Sequence, residues 1–318
     1  MTNHQKGTLC CICAGAAWGF AGVCGQFLFD QRNWDVDFLI PMRMLLAGFL
    51  LMLVARKCEG GAGFRLLRQR RNAVDLLIFG ILGLGLCQYA YYSTIRAANA
   101  ATATVLCYLG PVLIILWQAL RSRRLPERKE MMAVAVAVLG TFLLATHGDP
   151  TSLAISGAAL FWGVLSAFAT ALYSVQPRRL TGACGTLTAT GSGMFLAGIF
   201  LSLLRRPWDH VQGTFDLPAW LAFGTVVAVG SVLCFSLYFI GVSLIGPTRA
   251  SILGATEPLV STILSVFWLH VAFHGMDLAG FALIVSTIFI LALPGKKTAD
   301  GGTPEDAENT PPQARESA

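Results

Sequence analysis

Two ionisable residues stand where an apolar run should carry none: Arg43 in PMRM and Glu257 in ATEPLV. A charge well inside a hydrocarbon span costs about 2.5–3.5 kcal/mol on insertion scales, so each needs a reason. A guanidinium at that depth can clamp a carboxylate or phosphate through two parallel hydrogen bonds. It can equally snorkel to the outer headgroups or satisfy backbone carbonyls. Glu257 has three readings. As a proton-carrying group it loads and releases a proton, because burial disfavours its charged form. As a substrate ligand it holds an amine or hydroxyl. As a structural residue it ties neighbouring helices by hydrogen bonds.

Glu257 precedes Pro258, and the sequence offers a counterpart in Gly110-Pro111, 147 positions earlier. Proline inside a span removes a backbone hydrogen bond and breaks or kinks the helix. Freed carbonyls are tolerated in a membrane only where protein or water covers them. Two such breaks at corresponding positions of two halves point to a central site. The expected cavity therefore lies beside Pro111 and Pro258. Its candidate walls are Trp18, Gln88, Tyr91, Tyr92, Tyr108, Trp162, Tyr173 and Tyr238, with Gln26 as a further amide. Such a wall suits an amphipathic small molecule. Asn99, Thr102 and Thr104 open the fourth span, to bind substrate or to cap the helix.

The elements that position these residues follow from composition. Only 13% of the chain is charged and 55% is hydrophobic, with a mean hydropathy of +0.64. A soluble domain averages about 25% charged residues. Apolar runs of spanning length recur, and ten spans are expected at 9–29, 38–55, 73–94, 98–120, 131–147, 154–176, 186–204, 218–242, 249–270 and 275–293. This spacing puts Glu257 near the middle of the ninth. The net charge of +6 is an orientation signal, not a nucleic-acid footprint. Arg and Lys crowd the loops of one side, including 56–72, 121–129 and 178–179, which puts both termini in the cytoplasm. Arg205-Arg206 is discordant. The basic loop 56–72 reads as a mobile cytoplasmic connector, and 205–217 as extracytoplasmic with Trp208 at headgroup level.

The halves repeat. GLGLCQYAYYSTI at 83–95 returns as GSVLCFSLYFIGV at 230–242, and Trp18-Gly19 returns as Trp162-Gly163. Because Trp18-Gly19 belongs to the repeat, the first span is expected to be retained and not cleaved as a leader. Two directly joined repeats of odd helix number have opposite topologies, a plan of secondary transporters. The expected fold is an all-α integral membrane protein of ten transmembrane helices in two inverted five-helix repeats. Its parts are a cytoplasmic N-terminus 1–8, a first repeat 9–147, a linker 148–153, a second repeat 154–293 and a disordered cytoplasmic tail 294–318. Small residues such as Gly15 with Gly19, and Gly191 with Gly198, serve packing within the bundle or a homodimer interface.

Catalytic signatures are missing: no intramembrane aspartate pair, no H-E-x-x-H and no G-x-x-x-x-G-K occurs in the sequence. No enzyme, cofactor or metal is expected. Cys10, Cys11 and Cys13 read as packing residues. His147, His270 and His274 fall near outer span ends and could meet only through suitable loop folding.

The chain resembles the drug/metabolite transporter superfamily in its EamA branch over about 9–293. The features are Trp18-Gly19, Arg43, the run AANAATATVLCYLGP, the ALFWG of 159–163 and RASILGATEPLVSTILS at 249–265. The last two are especially similar to the YicL-like subgroup of inner-membrane proteins. The resemblance implies a central cavity with the fifth and tenth helices peripheral, in a plasma-membrane exporter of amino acids or other metabolites. On that analogy Arg43 and Glu257 fall on the cavity side. One cation and one anion from opposite halves suggest a zwitterion site. The expected function is secondary transport of a small amphipathic, amino-acid-like metabolite or drug by alternating access, with membrane lipids around it and proton or ion coupling open. The alternative is a lipid-handling protein of flippase or scramblase type using the same cavity.

Overall fold

With no water in the bilayer core to satisfy backbone N–H and C=O groups, apolar segments close their hydrogen bonds internally as helices. The computed structural model describes residues 2–60, 62–122, 128–147, 149, 154–176 and 178–292. The expected tail and all of the 148–153 linker except Asp149 lie outside these residues. Among the described residues the chain is helical, without strands. Its main elements are α1 (Asn3–Asp30), α2 (Val36–Cys58), α3 (Arg70–Ala97), α4 (Ala100–Cys107), α5 (Gly110–Ser122), α6 (Arg128–Thr146), α7 (Gly157–Val175), α8 (Thr186–Arg205), α9 (Leu217–Ile245), α10 (Pro247–Gly254), α11 (Thr256–Phe267) and α12 (Gly275–Ala292). Seven helical stretches are long and apolar enough to cross a membrane, with α4 and α5 counted as one, and three shorter apolar helices accompany them. Large apolar side chains such as Phe161, Leu203 and Phe267 cover the outer surface, as lipid contact requires. This is a multi-pass membrane protein.

Both prolines of the sequence argument sit in the first turn of a new segment, not within a continuous helix. Pro111 is the second residue of α5 and Pro258 the third of α11. There the missing N–H is one that a helix start leaves unpaired anyway. Glu257 accordingly lies in the opening turn of α11, not in mid-helix as the apolar run predicts. Each long third helix also carries a π-helical turn, Ile78–Gly85 in α3 and Ala228–Leu233 in α9. The Leu86 N–H reaches back to the Ile81 carbonyl, and the Cys234 N–H to that of Val229. Such turns often accompany functional sites.

Helices of the first half pack chiefly on helices of the second: α2 on α8, α6 on α12, α1 on α9 and α11, and α3, α4 and α5 on α7. Glycines set the closest approaches. A Cβ on Gly198 would fall 2.7 Å from the Leu45 backbone nitrogen, and one on Gly191 2.9 Å from that of Met52. Gly15 and Gly19 face the backbone of α10 and α11 in the same way. All four therefore serve contacts within the chain.

Ends are tied down by side chains. The Asn99 side-chain Oδ1 accepts from the Thr102 N–H and caps α4, and Gln26 Oε1 accepts from the Ala100 N–H. The 56–72 segment is not the free connector its composition predicts. α2 runs on to Cys58, Ala62–Leu66 is a short helix, and Glu59 accepts from the Leu187 and Thr188 N–H groups at the start of α8. The discordant Arg205-Arg206 pair is neutralised: Arg205 forks onto Asp37 at 2.7 and 2.6 Å, and Arg206 pairs with Asp209.

Candidate substrate site

The breaks and π turns converge on two chambers in the interior. The larger, about 400 Å³, is walled by Trp18, Phe79, Tyr108, Pro111, Thr170, Tyr173, Phe235, Tyr238, Phe239 and Glu257. It reaches Thr181, Thr186 and Thr190 near the start of α8. The smaller, about 110 Å³, is walled by Arg43, Gln88, Tyr91, Tyr92, Gly22 and Gly230. Trp18, Cys107, Tyr173, Phe235 and Glu257 line both, so they form the shared partition.

Arg43 is 3% exposed and points inward, which rules out the snorkelling alternative. Its Nη1 donates to Gln88 Oε1 at 2.6 Å and its Nη2 to Ser231 Oγ at 3.1 Å, while the guanidinium carbon stands 4.8 Å from the Tyr92 ring centre. Its Nε has no hydrogen-bond partner among the described residues. Gln88 follows the π turn of α3 and Ser231 lies in that of α9, so both halves hold one guanidinium. All these partners are neutral. A buried cation held only by dipoles keeps most of its attraction for an anion that enters beside it.

Glu257 is reached by one phenol. The Tyr108 hydroxyl lies 3.4 Å from Oε2 and donates at 2.9 Å to the Gly254 carbonyl. No described cation pairs with Glu257. Gly19 lets α1 approach here, since a Cβ on it would stand 2.6 Å from the Glu257 carbonyl oxygen. Trp18 meets Phe235 and Tyr238 at 5.4 Å between ring centres, continuing an aromatic wall. The arrangement presents one buried cation and one carboxylate in adjoining chambers that are otherwise mostly aromatic. It can bind and orient a charged amphiphile.

Of the residues singled out from sequence, Trp162 lines neither chamber and packs edge-on against Tyr89 at 5.7 Å. Gly110 sits against Thr170, where its lack of a side chain admits α7, and Pro258 is buried in α11. Gln26 and Thr104 serve internal hydrogen bonds, the latter with the Tyr91 hydroxyl at 2.7 Å. Phe79, Thr170, Phe235, Phe239 and Cys107 complete the walls and went unmarked in sequence. Phe235, at the position matching Gln88 in the repeat, carried a signal. Thr170 carried none; its hydroxyl bridges Cys87 and Cys107 at 3.2 and 3.1 Å only through the fold.

A family model described as the EamA-like transporter family matches residues 5–146 and 157–293. The uncharacterised inner membrane transporter YicL of Salmonella typhimurium is 40% identical over 94% of this chain and 99% of its own. The threonine/homoserine exporter RhtA of Salmonella typhimurium is 29% identical over 74% of this chain and 79% of its own. The aromatic amino acid exporter YddG of Ancylobacter novellus is 27% identical over 77% and 84%. A crystal structure with 18% identity superposes at a TM-score of 0.62 over 90% of this chain and 96% of that one. With two matched segments that cover nearly all its helices, the chain belongs to the EamA-like transporter family.

Proposed function

We propose that this protein is a secondary carrier that exports an amphipathic, amino-acid-like solute by alternating access between two inverted five-helix repeats. Each repeat contributes five spans, α1 to α6 and α7 to α12, with α4–α5 and α10–α11 each forming one broken span. The packing supports this reading. If the first repeat maps onto the second, the α1 contact with α9 becomes the α7 contact with α3. The α1 contact with α11 likewise becomes that of α7 with the broken α4–α5 span, and the α2–α8 and α6–α12 pairs map onto themselves. An in-plane pseudo-two-fold axis has this effect. Gly19 against Glu257 and Gly163 against Leu106 repeat the theme at each break.

One observation carries the site: Arg43 and Glu257, from opposite halves, face adjoining chambers with only neutral partners among the described residues. Arg43 takes the solute carboxylate and Glu257 its amine, while the aromatic walls of the larger chamber receive an apolar flank. The amino-acid exporters among the relatives lend weight to that class. Charge asymmetry of the loops puts both termini in the cytoplasm. On this reading the larger chamber, reaching Thr181 and Thr186, opens inward.

The test is a thermal-shift and vesicle-flux series with labelled amino acids on wild type, Arg43→Ala and Glu257→Gln. A solute at about 100 times its dissociation constant adds roughly 2.7 kcal/mol of stability. A shift and flux lost in both variants supports the site. Flux of every substrate unchanged in the double variant discards it, and equilibration of labelled lipid without solute flux favours lipid handling.

A further inference from the structure

Away from the chambers, the ends of α6 and α12 bring together two imidazoles and a carboxylate. His147 follows the last residue of α6, His274 precedes α12, and Asp277 lies in the first turn of α12. His147 Nε2 is 2.7 Å from Asp277 Oδ1, and His274 Nδ1 is 3.8 Å from Asp277 Oδ2. Each carboxylate oxygen thus faces one ring, the ring centres are 4.9 Å apart, and the three ligand atoms fit within 4.8 Å of one another. The sequence placed His147 and His274 near outer span ends, 127 positions apart, and the fold brings them together and adds Asp277.

We infer that His147, His274 and Asp277 form a binding site for a divalent transition-metal ion, with zinc the best match. Metal–ligand bonds of about 2.0–2.2 Å at tetrahedral angles put ligand atoms about 3.3 Å apart. With the three ligand atoms within 4.8 Å of one another, small side-chain rotations bring them to that spacing. Two neutral imidazoles and one carboxylate suit zinc, nickel or copper and do not suit magnesium or calcium, which take oxygen ligands. His274 is 75% exposed in its side chain and Asp277 11%, so one flank is open for entry and for a water in the fourth position. His147 adopts a left-handed φ of 51°, the conformation at the helix end from which its ring reaches α12. The Asp277 Oδ2 also accepts from the His274 backbone N–H at 2.8 Å, which holds it in place.

A second group of similar composition, Asp35, Asp37 and His210, lacks this freedom. The Asp37 carboxylate is already taken by the Arg205 fork and the Tyr89 hydroxyl at 2.6 Å. Among the described residues no arginine or lysine pairs with the Asp277 carboxylate. It joins α6 to α12, a pair packed through Gly140 and Gly280, neither of which lines a chamber. A bound ion therefore clamps the two helix ends together and lies off the solute path.

The experiment uses the full chain in detergent, titrated with Zn²⁺ and with Co²⁺, and read by thermal midpoint and visible absorption. The expected result is saturable binding of one ion that raises the midpoint, with Mg²⁺ and Ca²⁺ inert. Binding should weaken at least tenfold in both His147→Ala and His274→Ala. His274→Ala changes an exposed side chain, so loss of folding does not cloud it. The Co²⁺ adduct should show d–d bands without the near-ultraviolet thiolate band that Cys87 and Cys107 would produce. No saturable binding, wild-type affinity retained in either variant, or a thiolate band each overturns the site.

Discussion

The Tyr108 hydroxyl donates to the Gly254 carbonyl at 2.9 Å, so the residue that ends α4 closes the open end of α10. Each break leaves carbonyls that its own helix cannot pair. One break supplies the donor that the other lacks. The same hydroxyl lies within 3.4 Å of Glu257, which places the closure beside the candidate ligand.

Tyr108→Phe keeps the ring and removes that donor. Leaving a buried carbonyl unpaired costs about 1–3 kcal/mol. The thermal midpoint in detergent should fall, and solute affinity should change because Glu257 loses the Tyr108 hydroxyl that lies 3.4 Å from it. A midpoint equal to wild type would show that water or another donor replaces the phenol.

Arg43→Lys keeps a charge but loses the planar fork shared by Gln88 and Ser231. Lysine cannot reach both acceptors in that geometry and also offer a bidentate face. Solute affinity should drop at least tenfold, about 1.4 kcal/mol, with the fold intact by circular dichroism. Full activity of the lysine variant would mean that charge alone is read.

Glycine substitutions should split by environment. Gly198→Ala puts a Cβ 2.7 Å from the Leu45 nitrogen, a backbone atom that cannot swing away. It should destabilise by about 1–3 kcal/mol as the α2–α8 contact opens. Gly224→Ala, in α9 with nothing within 4 Å, should be neutral or stabilise by up to about 1 kcal/mol through helix propensity. Thermal midpoints of the two proteins side by side decide it.

Asp216 caps α9 at Ala219 and pairs with Arg32, and the Arg32 hydrogen bond holds its carboxyl below the ordinary 3.8. A carboxyl depressed by folding lends stability above its unfolded value, and that stability is lost as pH falls through the folded one. Asp216→Asn should therefore differ most from wild type at neutral pH, and the two should converge only as pH falls through the depressed folded value, below the ordinary 3.8. The pair is partly exposed to solvent, so the difference should be small and shrink with added salt. An acid titration of the thermal midpoint in low and high salt checks both the sign and the screening.

Chemistry legible in the chain came from scarcity. Arg43 and Glu257 stood out because charge inside an apolar run is costly, and Pro111 and Pro258 because proline cannot continue a helix. Rotation of each helix was not legible, since a chain that is apolar on every face carries little amphipathic signal. Trp18 and Trp162 occupy matching places in the repeat, yet only Trp18 lines the chambers. The proline marked a break in 249–270, but its exact place at Ala255, with Glu257 in the opening turn of a new helix, was set by the fold.

The sequence by itself determined that the chain is a helical membrane protein with a duplicated pattern and a polarised pair of charges, because composition and local backbone rules depend on neighbours along the chain. Tertiary structure alone decided that Gln88 and Ser231, from opposite halves, would share one guanidinium. It alone decided that His147 would meet Asp277 at 2.7 Å. These contacts depend on helix rotation and close packing through glycine, which bring together residues that local sequence has no means of pairing.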